Sequence, residues 1–326
     1  MHLIKQALLP LLILLASTQA GLAHHGGAST SQGPGTPIET SSPLSLPKGA
    51  TVVFTRFELA NFRKFGAFQP SNIDSFQFMQ LGVSHGLTNF LSATVILPYN
   101  IKTQDTFGSS RGVGDAKFLL NLGFNYSGSD GFQLNDEDDT VVNLAENHKT
   151  FLGLTGGFSV PSGRNNIDLG EGVNGAMQPG FGSPTFTLGL SMTRALSPRF
   201  TIAADTGVDI FSRRANDDRY ATEFRANVAG VYEAYADKEA FVKRVDTILE
   251  LNYLHVGRDL GAGIPELGTG GNILYLTPGV RMQVADFSVG AAVKIPIVKS
   301  VNEVDMQQGA EGLEKYRLLF TVSRSF

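Results

Sequence analysis

Cysteine and tryptophan are both absent from the 326 residues. Without cysteine there is no disulfide scaffold and no thiolate metal site. Long apolar runs are nearly absent too. Only Ala7 to Ala16 forms one, and it falls short of the roughly 20 residues that carry a helix across a bilayer, so helical membrane spans are excluded. An excess of positive charge is also missing. A net charge of -4 argues against a basic nucleic-acid binder, and no nucleic acid is expected as a partner. What the chain has in quantity is 37 glycines and 23 phenylalanines, the residues of turns and of apolar surfaces.

His2 and Lys5 precede the apolar run and small residues follow it, so residues 1–23 read as an export signal cleaved after Ala20 or Ala23. Residues 24–49, HHGGASTSQGPGTPIETSSPLSLPKG, are rich in Gly, Ser, Thr and Pro without an apolar period. They read as a flexible periplasmic leader, with threading into the body of the protein as the alternative. Cleavage after Ala23 leaves His24 and His25 beside a free amine, a minimal candidate for copper or nickel. No other metal and no cofactor is expected.

From Ala50 the texture changes to alternation. In GVGDAKFLLNLGFNYS, Phe118, Leu120, Leu122, Phe124 and Tyr126 share one face, with Leu119 as the exception on the other. A period of two is the signature of strands. Such segments recur near 50–62, 72–85, 88–102, 112–126, 149–162, 182–196, 199–213, 220–235, 241–257, 271–284, 286–300 and 312–326. Twelve long, two-faced strands predict an all-β chain folded as one antiparallel transmembrane barrel over residues 50–326, monomeric or trimeric. Short links such as LSPR (196–199) alternate with long ones such as 163–181. Both termini are therefore expected on the periplasmic side, where such barrels keep their short turns. The connection 127–148 breaks the rule: it is either a long turn on that side or a sign that one hairpin is miscounted.

In a membrane barrel the charged face turns inward. The expected lumen-lining residues are Arg56 and Glu58 in the first strand, Asp115 and Lys117 in the fourth, and Asp205 and Asp209 in the seventh. Glu223 and Arg225 follow in the eighth, and Arg244, Asp246 and Glu250 in the ninth. Arg281, Lys294 and Arg317 complete the set in the last three. The signs are balanced, so neither an anion nor a cation channel is indicated; the charges either brace the wall in pairs or orient a passing solute. Twelve strands tilted about 40° leave an opening on the order of 10 Å, enough for small solutes. The glycine-rich loop 164–182 either folds inward as a constriction or stays exposed. The acidic run Asp136, Glu137, Asp138, Asp139 lacks the glycine and terminal glutamate of a calcium loop. GVGDAK opens a strand and not a helix, so it is not a phosphate loop. His255, near the long-loop rim, has no identifiable serine partner.

EKYRLLFTVSRSF, residues 314–326, places Tyr316, Leu318, Phe320 and Val322 on one face and ends on Phe326. This resembles the terminal strand of bacterial outer-membrane barrels, whose assembly machinery recognises a final aromatic. Phe326 is thereby implied as the assembly signal, with that machinery and outer-membrane lipids as partners. Arg324 interrupts the apolar face and is expected at the headgroups. The motifs VSHGLTNFLSATVILPY, GVGDAKFLLNLGF, LTGGFSVPSGR and ALSPRFTIAADTGV are similar to the outer-membrane proteins grouped as the MetA-pathway of phenol degradation family. That resemblance implies a passive channel of the bacterial outer membrane for small molecules, hydrophobic or aromatic ones among them, and not an enzyme. A closed structural or adhesive barrel, and a lipid-modifying enzyme acting through His255, are the alternatives.

Overall fold

Alternation of large apolar and polar residues forces each strand to choose which face is wetted, and in this chain the choice is uniform. A computed structural model describes residues 33–63, 74–104, 108–137, 139, 149–168, 177–212, 219–303 and 313–326. Residues 1–23, read from the sequence as an export signal, and the His24 and His25 pair lie outside the described residues.

The chain closes into a twelve-stranded antiparallel barrel. In order round the wall the strands are β1 (Thr51–Phe62), β2 (Ser75–Gly86), β3 (Leu91–Gln104), β5 (Lys117–Ser127), β7 (Thr150–Ser159) and β8 (Thr185–Ser197). They continue through β9 (Phe200–Phe211), β10 (Glu223–Ala236), β11 (Val242–Val256), β14 (Gly271–Val284), β15 (Phe287–Val301) and β16 (Glu314–Ser325). β16 pairs with β1, from Val52 opposite Ser325 to Phe62 opposite Glu314, which closes the ring. Among the described residues four short pieces supplement these: β4 (Gly108–Val113), which extends β5, and β6 (Gly131–Leu134), β12 (Leu260–Gly261) and β13 (Ile264–Pro265) in the connections. The strands match the sequence periodicity to within a few residues. The connection that broke the length rule is a long turn carrying β6, on the same rim as both ends of the barrel, so no hairpin is miscounted.

β4 and β5 are one strand broken by a bulge. Opposite them, β3 pairs with β5 over Leu91–Ile96 and with β4 over Tyr99–Gln104, so Gly114, Asp115 and Ala116 stand against only Leu97 and Pro98. Pro98 has no N–H to offer the ladder, and its carbonyl accepts from Gly114 N at 2.9 Å. The extra residue turns the Asp115 carboxylate into the barrel.

The outward face is apolar. Leu81, Leu120, Leu154, Leu188, Leu190, Leu249 and Phe320 all stand on the outer surface, exposed. Aromatic residues gather toward both rims: Tyr126, Phe132, Tyr235, Phe241, Phe287 and Phe326 at the rim with the chain's ends, and Tyr99, Phe158, Phe186 and Phe224 toward the other. Phe224 and Tyr232 on β10 are separated by roughly 20 Å along the axis, at about 3.3 Å per residue and about 40° of tilt, which suits the apolar slab of a bilayer. Leu190, midway along β8 and 58% exposed, is expected to lie in that slab. Leu190→Arg should therefore cost about 2–4 kcal/mol in a lipid-vesicle unfolding titration, because its guanidinium has no interface within reach. A cost below 1 kcal/mol would place this face in water. Arg324 shows how the chain tolerates an outward arginine: it stands at the rim between the rings of Phe287 and Phe326 and reaches Asp286 at 3.4 Å.

Candidate functional site: the lumen wall, its strap and its cavities

The fourteen wall charges all point inward, and the fold sorts them by place. On β1, β15 and β16, Arg56 meets Glu58 at 3.2 Å, Glu58 meets Arg317 at 2.5 Å, and Arg317 meets Glu314 at 2.7 Å. Lys294 stands over the Tyr275 ring at 4.6 Å, and the Tyr275 hydroxyl donates to Glu314 at 3.2 Å. This side carries three cations to two wall carboxylates. Across the barrel, Asp209 accepts from Lys117 at 3.2 Å, from Arg225 at 2.7 Å and from the Thr187 hydroxyl. Arg225 also meets Glu223 at 3.5 Å, and Asp205 accepts from Asn227 at 2.9 Å. That side carries three carboxylates to two cations. Equal totals in the sequence thus become a field directed across the lumen. Between the two sides, Arg244 holds Asp246 at 2.7 Å and Glu233 at 2.9 Å, and Asp246 stands in register with Arg281.

The leader is the largest departure from the flexible reading. Residues 35–47 run inside the barrel, and the wall charges hold their backbone. Glu250 accepts from the N–H groups of Ile38, Glu39 and Thr40 at 2.8, 3.0 and 2.7 Å, and from the Thr40 hydroxyl at 2.6 Å. Asp246 accepts from Gly35 N at 2.8 Å and Asp205 from Ser41 N. Arg281, fully buried, donates to the carbonyls of Thr36 at 3.0 Å and Pro37 at 2.8 Å, and Arg56 donates to that of Ile38 at 3.1 Å. Without such partners a proline-rich strap of bare peptide groups could not stay inside a barrel. Ile38, 1% exposed, plugs an apolar socket of Val231, Ile248, Ala292 and Leu319. Two wall glycines make room where the strap lies against the wall: a Cβ on Gly86 would stand 2.1 Å from the Pro47 carbonyl oxygen, and one on Gly153 would stand 2.8 Å from Pro43 Cα.

Glu39 is the one acidic side chain of the strap, and it bridges Arg56 and Lys294. Burial alone would raise its carboxyl, but the Arg56 guanidinium and the Lys294 ammonium reverse that and hold it well below the usual carboxylate range. It stays charged far into acid.

The loop after β7 enters from the opposite rim. Three successive carbonyls, of Met177, Gln178 and Pro179, accept from Ser110, from Lys102 at 2.6 Å and from Asn100 at 2.7 Å. Asp115 accepts from Gly163 N at 2.8 Å and Phe181 N at 2.7 Å. Residues 177–181 therefore lie inward, as the constriction reading required; residues 169–176 fall outside the described set.

Among the described residues two spaces open in the lumen, about 890 Å³ and about 720 Å³ when the open solvent at their mouths is counted. The first is bounded by Glu39, Lys294, Arg317, Asp205, Arg225 and Tyr275, the second by Phe78, Ile96, Pro98, Phe181, Phe211 and Asp115. Lys117 borders both. The inward face is apolar toward the loop rim, where Phe62, Phe76, Phe78 and Met177 cluster, as do Leu254, Val256, Ile273 and Tyr275. Alternation alone paints the whole inner face polar, and it missed this half.

Sequence reading also missed Glu39, Glu314, Asn100 and Lys102. The last three sit in the inward register of their strands, a signal that was present; Glu39 is a lone acid in a Ser/Thr/Pro stretch, where no period could mark it. His255 is exposed, and its Nδ1 lies 2.9 Å from Asn272 Oδ1, which also accepts from the Tyr253 hydroxyl at 2.6 Å. Asp139 is bound by Asn125 and Lys149 in the long turn beneath the strap, and Asp138 lies outside the described residues. Phe326 pairs its backbone with Thr51 through N–H···O bonds of 2.8 and 3.1 Å and leaves its ring exposed at the rim.

No family model matches the sequence, and no curated protein matches it either. Among solved structures, the COG4313 outer membrane channel from Pseudomonas putida F1 superposes with a TM-score of 0.63 at 15% identity, covering 89% of this chain and all of that one. At that identity the likeness concerns the fold, a barrel of the outer-membrane type. The NanC porin (TM-score 0.44, 9% identity, covering 84% of this chain and 98% of that one) and the Pseudomonas putida toluene transporter TodX (0.40, 12%, 95% and 99%) are also similar.

Proposed function

We propose that this chain is a channel of the bacterial outer membrane that admits small solutes, apolar or aromatic ones included, past a strap formed by its own leader. The observation that carries this reading is the pair of lumen cavities that meet at Lys117, one aromatic-lined and one charge-lined. A barrel whose only task was to brace the membrane has no use for internal space bordered by buried ionised groups, which are costly to maintain. The apolar loop-rim half suits a solute with a ring or short chain, and the transverse field beyond it suits one with a polar end. On this reading the two chain ends face the periplasm, residues 1–23 are removed on export, and the exposed ring of Phe326 is what the assembly machinery recognises. The ring-lined cavity of Phe78, Phe181 and Phe211 supports an aromatic cargo, and catalysis has no place in the scheme.

The test is flux through the purified full-length barrel in liposomes. Benzyl alcohol is expected to enter faster than protein-free leakage allows, and planar bilayers should show small, flickering conductance. One observation favours the second reading, a closed structural barrel: the strap fills the lumen on the side of both termini. Absence of flux and conductance, both in the intact protein and after removal of the strap, would establish that reading and end this one.

A further inference from the structure

The base-rich side of the wall is built for one more carboxylate than it owns. Among the described residues of the wall, Arg56, Lys294 and Arg317 meet two carboxylates, Glu58 and Glu314, and a third acid is supplied by Glu39 of the strap. Lys294 and Arg317 stand directly opposite each other on β15 and β16, a like-charge pair that is unfavourable unless an anion lies between or beside them. Among the described residues, Glu39 is the only carboxylate within ion-pair distance of Lys294. It spends one oxygen on Arg56 and the other on Lys294.

The surroundings are short of acceptors in the same sense. Arg56 Nε is buried with no partner among the described residues. Asn252, 2% exposed and lining the same cavity as Glu39 and Lys294, accepts from the Thr277 hydroxyl on its Oδ1 at 2.6 Å, and its Nδ2 donor has no partner among the described residues. The Tyr275 ring under Lys294 adds an apolar face beside the charge. Elsewhere the strap is held through backbone N–H and C=O groups and the Thr40 hydroxyl, and Asp246, which it leaves behind, already meets Arg244 and stands in register with Arg281. At Glu39 the strap's departure takes one carboxylate from two cations at once.

We infer that Arg56, Lys294 and Asn252 form a binding site for the carboxylate of a small organic acid, and that Glu39 occupies it as a tethered stand-in until such a solute displaces the strap. The inference rests on the channel reading and narrows its cargo to acids with a ring or short chain, the carboxylate on the cation side and the body against Tyr275. Asp205 and Asp209 across the lumen repel that carboxylate toward the same side. A tethered competitor acts at an effective concentration on the order of millimolar, so a free acid competes in the millimolar range and the strap reseats when the acid is gone.

The chain has no tryptophan, so Leu44→Trp puts a single fluorophore on the strap of the full-length protein. In detergent, benzoate is expected to shift its emission while benzamide at the same concentration and ionic strength does not. By calorimetry, Glu39→Gln should bind benzoate about tenfold more tightly than the parent, the worth of about one charge-assisted hydrogen bond freed from internal competition. Lys294→Met should lose the preference for benzoate over benzamide, and Lys294→Gln repeats that test with a polar side chain should the methionine variant not fold. Equal responses to benzoate and benzamide, or unchanged affinity in Glu39→Gln, overturn the proposal. Inorganic phosphate matching benzoate overturns the organic-acid assignment. These are binding measurements: a failure of liposome flux beside a positive benzoate titration sinks the channel reading and leaves the site standing.

Discussion

Replacing Arg317 with methionine is expected to destabilise the barrel by about 3–5 kcal/mol, because it leaves the carboxylates of Glu58 and Glu314 buried without the guanidinium that both share. Arg317 is 4% exposed, Glu58 2% and Glu314 0%, so water cannot take over the lost interaction. One effect runs the other way. Lys294, opposite Arg317, loses a like-charged neighbour, which returns roughly 0.2–1 kcal/mol and places the net cost toward the lower end. Lumen hydration cannot reverse the sign. Urea unfolding in lipid vesicles measures it, and adding Glu314→Gln to Arg317→Met should recover a large part of the loss, since the orphaned charge is then gone. A cost under 1 kcal/mol would mean that the base-rich wall is solvated and that the ion-pair chain is not structural.

Deleting residues 24–48 while keeping residues 1–23 is expected to raise single-channel conductance several-fold, toward the roughly 10 Å opening that twelve tilted strands allow. The strap's hold on the wall is extensive but replaceable. Glu250, Asp246 and Arg281 exchange peptide partners for water and for each other, and the ladder from β1 round to β16 is untouched. Assembly should therefore survive the deletion, with retained heat-modifiable migration as the control. Removal of the Ile38 anchor alone, by Ile38→Asp, should move conductance part of the way, because the socket of Val231, Ile248, Ala292 and Leu319 cannot solvate a carboxylate. Unchanged conductance in the deletion would show that the loop at residues 177–181 already closes the path.

The architecture was legible because a strand in a membrane wall obeys a single local rule. Alternate residues face lipid or lumen, so Phe118, Leu120 and Leu122 marked their face without knowledge of any neighbour, and the same rule gave Leu119 to the interior. It also gave the fourteen inward charges, since ionised groups cannot face hydrocarbon. The rule fails where a residue's partners are distant in sequence. Nothing local distinguishes a strap threaded through a barrel from a free linker of the same Gly, Ser, Thr and Pro composition, because neither has a period.

The sequence by itself therefore determined that this chain is a barrel with an apolar outside, how many strands it has and, to within a few residues, where they lie. Those properties are set residue by residue, through the two-residue period and the chemistry of the medium each face meets. Only the tertiary structure decided what fills the barrel and how its charges are shared. Whether Glu39 meets Arg56 and Lys294, or whether seven cations and seven carboxylates alternate or separate into two sides, depends on closing β16 against β1 and on ion pairs spanning up to 259 residues of chain. Burial then fixes those contacts, because a charge inside the wall must find its partner wherever closure puts it.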